Sequence, residues 1–145
     1  MASEQVVSAE MRAGALVTPV SIIRYWGPVG LYAGLIFFGS SISTPPEAIS
    51  SLIKDISDKV LHFSEYALLG ALIYRASRHG SGPWMAQRAL WAAVAGSALY
   101  GVSDETHQLF VPFRQSDVLD VLADTVGGTV GAWAWRWIER RAYRD

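Results

Sequence analysis

Apolar residues run along this chain in four long stretches, each ended by polar or turn-forming residues. Tyr25–Ile42 is 18 residues without a charge, within the length range of a helix that crosses a bilayer. Ala89–Ser103 is 15 uncharged residues, and Val121–Trp135 carries a single charge, Asp124. From Lys59 to Arg75 there are 17 residues, or about 25 Å at the helical rise, slightly short for a typical hydrocarbon core. The pattern predicts four membrane helices, over about 24–42, 59–77, 86–107 and 117–138. Ser43-Thr-Pro-Pro46 should end the first, because paired prolines remove donors and disfavour helical geometry in the residue before each. Gly80-Ser-Gly-Pro83 marks the turn between the second and third. Val111-Pro-Phe-Arg114 breaks the chain before the fourth, where Ser116 or Asp117 can cap the new helix.

The placement of Lys and Arg gives the bundle a direction. Arg12, Arg24, Arg75, Arg78, Arg88, Arg136, Arg140, Arg141 and Arg144 fall on one side, against Lys54, Lys59 and Arg114 on the other. The positive-inside tendency places both termini in the cytoplasm. Trp135, Trp137 and Tyr143, with Tyr25 and Trp26, suit an interfacial belt at that side. The expected organisation is a leader over 1–23, a membrane domain over 24–138 and a basic cytoplasmic tail over 139–145. Residues 1–20 hold Glu4 and Glu10 and lack a basic start followed by an apolar run. They read as a mobile leader or short amphipathic segment, not a cleaved signal.

Composition narrows the classes. With 145 residues and 51% hydrophobic content, the length is that of one domain. A net charge of -1 gives no footing for a nucleic-acid partner. The absence of cysteine removes disulfides and thiolate metal sites.

The acidic residues change the picture most. Asp58, Glu65, Asp104, Glu105, Asp117, Asp120 and Asp124 stand at or beside the apolar stretches, and the topology puts all seven at the outer side. Ionisable groups in membrane helices are costly and mark functional sites. Asp58, His62, Glu65 and Tyr66 share one face of the second helix; Asp117, Asp120 and Asp124 share one face of the fourth. Asp104, Glu105, His107 and Gln108 close the ring from the third, giving an expected polar pocket that opens outward. Lys59 and Arg114 are its fixed cations, with His62 and His107 able to add charge when protonated. So many acids in a low-dielectric site must retain protons or meet a cation. His62-x-x-Glu65, and Asp104 and Glu105 with His107, offer oxygen and imidazole ligands to a divalent metal. Without an HExxH motif, a hydrogen-bonded network competes with that reading, and no metal site is assigned. Ser64, Ser103 and Ser116 lack the surroundings of a nucleophile elbow. Gly30-x-x-x-Gly34 and Gly127-x-x-x-Gly131 predict close backbone packing between helices.

Three ordered segments carry a resemblance: Asp58-Lys-Val-Leu-His-Phe-Ser-Glu-Tyr66, Ser103-Asp-Glu-Thr-His-Gln-Leu-Phe-Val-Pro-Phe-Arg114 and Ser116-Asp-Val-Leu-Asp-Val-Leu-Ala-Asp-Thr-Val-Gly127. Over roughly 25–138 the chain resembles the VanZ-like family of small bacterial membrane proteins. The family pattern falls on Lys59, His62, Phe63 and Tyr66, then on Asp104, Glu105, Gln108, Phe110, Pro112 and Arg114, and finally on Asp120, Gly127 and Gly131. The family often has glycine where Phe113 stands and asparagine where Asp124 stands. The resemblance implies a multi-pass protein of the bacterial cytoplasmic membrane. Its founding relative is associated with low-level teicoplanin resistance, and the family carries no agreed biochemical mechanism.

The leading expectation is a membrane protein that binds or modulates an amphiphilic envelope component: a lipid headgroup, a cell-wall precursor or a lipophilic glycopeptide antibiotic. Its ligand-binding residues would be Lys59, His62, Tyr66, Asp104, Glu105, Gln108, Arg114, Asp117 and Asp120. One alternative is an intramembrane enzyme acting on a lipid-linked or phosphorylated substrate, drawing its acid/base groups from His62, Glu65, His107, Asp120 and Asp124. Another is a structural or assembly factor with a polar core. The lipid bilayer is the expected partner, and a homo-oligomer is compatible with the chain.

Overall fold

In a computed structural model, the described residues, 17–42, 58–112, 114 and 116–142, are helical apart from turns and form no strand. Lys54, the Ser43–Pro46 break, Phe113, the Asp58 side chain, most of the expected leader and the last three residues lie outside them. There are five helices among the described residues: α1 Pro19–Ser40, α2 Asp58–His79, α3 Pro83–Gln87, α4 Ala89–Gln108 and α5 Val118–Ala142.

Local chemistry sets the ends. The first helix starts five residues earlier than expected, at Pro19, because Thr18 and Ser21 form a reciprocal capping box with Pro19 in the first position. It ends at Ser40, where the Ser41 N–H donates to the Phe37 carbonyl at 3.1 Å. The expected third helix is two pieces. Pro83 opens α3, the backbone leaves helical geometry at Arg88, and α4 then runs to Gln108. Asp117 is the cap of α5: its Oδ1 accepts from the Leu119 N–H at 2.9 Å. That last helix reaches Ala142, through the start of the segment expected as a tail.

The four long helices run up and down. At one end, Lys59 meets Asp117, Ser41 meets His107, and Arg114 donates to the Gly39 carbonyl at 3.3 Å. At the other, the indole N–H of Trp26 donates to Ser81 at 3.2 Å and His79 meets Glu139 at 2.7 Å. Acids gather at the first end; Arg78, Arg136 and Arg140 gather at the second around Tyr74. Helix α2 is central and packs on all the others.

The closest approach is between α2 and α5, and glycine permits it. A Cβ on Gly131 would land on the Ala67 carbonyl oxygen, and one on Gly127 would land on that of Phe63. Gly70 faces Gly128 in the same seam. The other expected glycine motif packs on no described residue: a Cβ added at Gly30 or Gly34 would meet nothing within 4 Å among the described residues. Val29, Tyr32, Ala33 and Ile36, at helical spacing, turn the bulkier face of α1 inward instead.

Beside a hydrophobic core that includes Ile36, Leu69 and Ile73, the bundle buries many polar groups and turns large apolar side chains outward. Asp104, Glu105, Asp120, Asp124, His62, Ser77 and Ser97 are buried, whereas Val20, Leu31, Phe38, Leu68, Leu99, Leu122, Val126 and Trp133 face outward. Four membrane helices were expected; among the described residues one, α1, is long and apolar enough to cross a membrane by length and composition.

Candidate functional site

The acidic end is organised in two tiers, an accessible rim over a buried floor. On the rim, the Lys59 ammonium at the start of α2 donates to Asp117 Oδ2 at 2.5 Å and to Asp120 Oδ1 at 2.6 Å. Lys59 and Asp117 are about two-fifths exposed, whereas the Asp120 side chain is almost fully enclosed. The Asp117 carboxyl is held below its usual range, chiefly by the Lys59 ammonium bonded to it and then by the Leu119 N–H. Its own backbone N–H donates to Glu105 Oε2 at 2.7 Å, which ties the cap of α5 to the end of α4.

The floor is drier. His62, one turn along α2 from Lys59, meets Asp124 through Nδ1 at 3.0 Å, and the Asp124 residue is 0% exposed. Gly101 makes room for that carboxylate, since a Cβ there would lie 2.7 Å from Asp124 Oδ2. On α4, the Gln108 amide donates to Asp104 Oδ2 at 3.2 Å and Glu105 Oε1 at 3.4 Å. Glu65 is half-buried and within electrostatic range of His62, Asp104, Asp124 and Arg114. Three ligand-type atoms, one each from His62, Glu105 and Asp120, lie within 4.8 Å of one another. Two carboxylate oxygens of the floor, Asp104 Oδ1 and Asp124 Oδ2, are buried without a hydrogen-bond partner among the described residues.

Most of the residues singled out by sequence come together here: Lys59, His62, Glu65, Asp104, Glu105, Gln108, Asp117, Asp120 and Asp124. Tyr66 is close by and fully enclosed, its ring 6.1 Å from that of Tyr100 and its hydroxyl without a hydrogen-bond partner among the described residues. Two residues turn elsewhere. His107 stacks on Phe37 at 4.3 Å and bonds Ser41 at 3.0 Å, on the α1 side. Arg114 spends a donor on the Gly39 carbonyl at the end of α1. Both therefore join the bordering helix to the site. Sequence reading missed Gly101 and Ser41. Gly101 stands one turn before Asp104, a position where a small residue beside an acid is the available signal; Ser41 carries none.

A cavity of about 640 Å³ lies at the opposite end, among Tyr74, Arg78, Trp91, Arg136, Glu139 and Arg140. At the acidic end the side chains of Asp104, Glu105, Asp120 and Asp124 are buried beneath the accessible rim.

A family model described as VanZ/LLP1 matches residues 12–139, and the chain belongs to that family. No curated protein and no solved structure matches it.

Proposed function

We propose that this VanZ/LLP1 family member is a four-span protein of the bacterial cytoplasmic membrane, with both termini inside, whose acidic end binds the headgroup of an amphiphilic envelope component. The outward apolar side chains and the buried polar groups carry the membrane part of this reading. Contiguous outward Leu, Val, Phe and Trp on α1, α4 and α5 are a liability in water and the normal lining of a bilayer. Acids and amides meet inside the bundle, where polar groups in hydrocarbon must find their partners. The apolar length of α1 and the family membership support the same placement.

The rim carries the binding part. On this reading the rim lies at the level of lipid headgroups, with Lys59 and Asp117 paired on it and Arg114 bordering it at the end of α1. A zwitterionic or amino-bearing headgroup satisfies both signs of charge at once: its anionic group meets Lys59 and Arg114, and its amine meets Asp117. A lipid headgroup, a cell-wall precursor and a lipophilic glycopeptide share this chemistry.

The test is native mass spectrometry of the protein released in mild detergent after exposure to an envelope lipid extract. Wild type should keep a defined adduct that Arg114→Ala and Asp117→Asn lose while remaining folded. An adduct of equal intensity on all three, or none on folded wild type, overturns the reading. An enzyme with His62 as acid/base is the second reading, favoured by the enclosed His62–Asp124 pair; it predicts substrate turnover that His62→Ala abolishes.

A further inference from the structure

We propose that His62, Glu105 and Asp120 form a binding site for a divalent cation of the zinc or manganese class. This deepens the reading above, resting on the same acidic end, and assigns the floor beneath the rim. The three residues come from three different helices, α2, α4 and α5, and all are buried, with their ligand atoms within 4.8 Å of one another. In a four-coordinate set with lengths of about 2.0–2.2 Å the donors lie about 3.3–3.6 Å apart, so the ligand atoms must draw together by about 1 Å. Small side-chain rotations therefore close the set on an ion. Three protein ligands and one open position is the arrangement of metal sites that also accept an exogenous group.

The surroundings have what such a site needs. A metal-bound imidazole ordinarily gives its other ring N–H to a carboxylate or carbonyl, and for coordination through Nε2 Asp124 takes that role at Nδ1. Glu105 is oriented by the Gln108 amide and the Asp117 N–H, and Asp120 by Lys59. One imidazole with two carboxylates is a mixed nitrogen and oxygen set, which suits zinc or manganese better than calcium, whose sites are built from oxygen alone.

A second, independent observation separates a cation from a merely hydrogen-bonded network. Asp104 Oδ1 and Asp124 Oδ2 flank the triad as buried acceptors with no donor among the described residues. Asp124 reaches the triad through His62, and Asp104 reaches it through the Gln108 amide it shares with Glu105. A nearby divalent charge compensates both carboxylates without requiring a donor.

The test uses the full chain in detergent, stripped with a chelator and titrated with Zn²⁺ or Co²⁺ alone. Wild type should bind one equivalent per chain, and bound Co²⁺ should give the visible absorption of a low-symmetry site. Glu105→Gln and Asp120→Asn should lose the spectrum. Asp124→Asn, which keeps all three ligands, should weaken affinity about 10–100-fold. Glu139→Gln, at the His79 pair of the other end, should leave binding unchanged. Circular dichroism melts identify folded variants; for any that fails to fold, protection of wild-type His62 from diethylpyrocarbonate by Zn²⁺ gives the same answer. Absence of binding to folded wild type, or binding unaffected by Glu105→Gln and Asp120→Asn, overturns the proposal. Repeating the lipid-adduct measurement in chelator separates the two readings: an adduct retained without metal upholds headgroup binding even where the metal site fails.

Discussion

The α2–α5 seam makes a prediction whose sign can be worked out at a single methyl group. In Gly131→Ala the new carbon would lie 2.5 Å from the Ala67 carbonyl carbon and 2.8 Å from its Cα, where ordinary contact begins at 3.4 Å. These are backbone atoms, so no side chain can rotate away and the helices must part by about 1 Å. A gap of that size forfeits a quarter to a half of the dispersion energy of each contact it opens, and overpacking of this kind costs about 1–3 kcal/mol. Alanine returns about 1 kcal/mol of helix propensity. Taking the upper part of the range, because the obstacle is backbone, the net loss is about 2 kcal/mol. For a chain of this length that is a fall in Tm of about 6 °C. Gly30→Ala is the control: with nothing within 4 Å among the described residues it keeps only the propensity gain and should melt at or slightly above wild type. Thermal unfolding in detergent, followed by helical circular dichroism, measures both. A Gly131→Ala protein as stable as wild type would refute the close crossing, and with it the placement of Asp124 against His62.

Three further outcomes follow from the acidic end. Lys59→Met should destabilise more than Asp117→Asn, because it strips the cation from the enclosed Asp120 as well as from Asp117; the reverse order in a denaturation series counts against the paired geometry. Asp117 has a depressed carboxyl, so its contribution is complete above the unfolded value of about 3.9 and disappears as pH falls through the lower folded value. Wild type should thus lose more stability than Asp117→Asn between about pH 5 and pH 2, and identical acid titrations would remove Asp117 from the account. Because the chain has no cysteine, single cysteines can report sidedness. Ser116→Cys should react with an impermeant maleimide on intact cells and Arg140→Cys only after permeabilisation; the opposite pattern inverts the proposed topology.

The sequence was most legible where one residue type has one physical use. Apolar stretches located the four long helices, and acids at helical spacing on α2 and α5 pointed to the end where those acids meet. Asp117 and Ser116 were both credible caps from sequence, and only the geometry of the Leu119 N–H chose between them. Periodicity could not separate the two glycine motifs. Gly30-x-x-x-Gly34 and Gly127-x-x-x-Gly131 look alike in the chain; which one meets another helix depends on how α1 is rotated, and Tyr32 and Ile36 decide that by entering the core. His107 is a similar case. It follows Asp104 by three residues, near enough in helical angle to share its face, yet α1 offers it the Phe37 ring and the Ser41 hydroxyl. A sequence gives the face of a helix, and the neighbour that occupies that face comes only from assembly.

Helix direction bears on whether the acids serve packing or a ligand. Asp117 and Asp120 stand at the start of α5, where the exposed N–H groups and the helix dipole favour negative charge. Asp104 and Glu105 stand in the last turns of α4, where the dipole disfavours it. They are also buried, 4% and 3% exposed, with an amide as their shared side-chain donor. Asp104 is therefore buried at a helix end with the Gln108 amide as its side-chain donor among the described residues. Replacing unfavourably buried charge with an apolar group of similar size often stabilises a protein. If Asp104 serves a cation, Asp104→Leu should unfold later than wild type in chelator, by about 1–2 kcal/mol or about 3–6 °C. Added Zn²⁺ should then raise the Tm of wild type and narrow the difference. If Asp104 serves only packing, Asp104→Leu gives up the hydrogen bond from the Gln108 amide and melts earlier with or without metal.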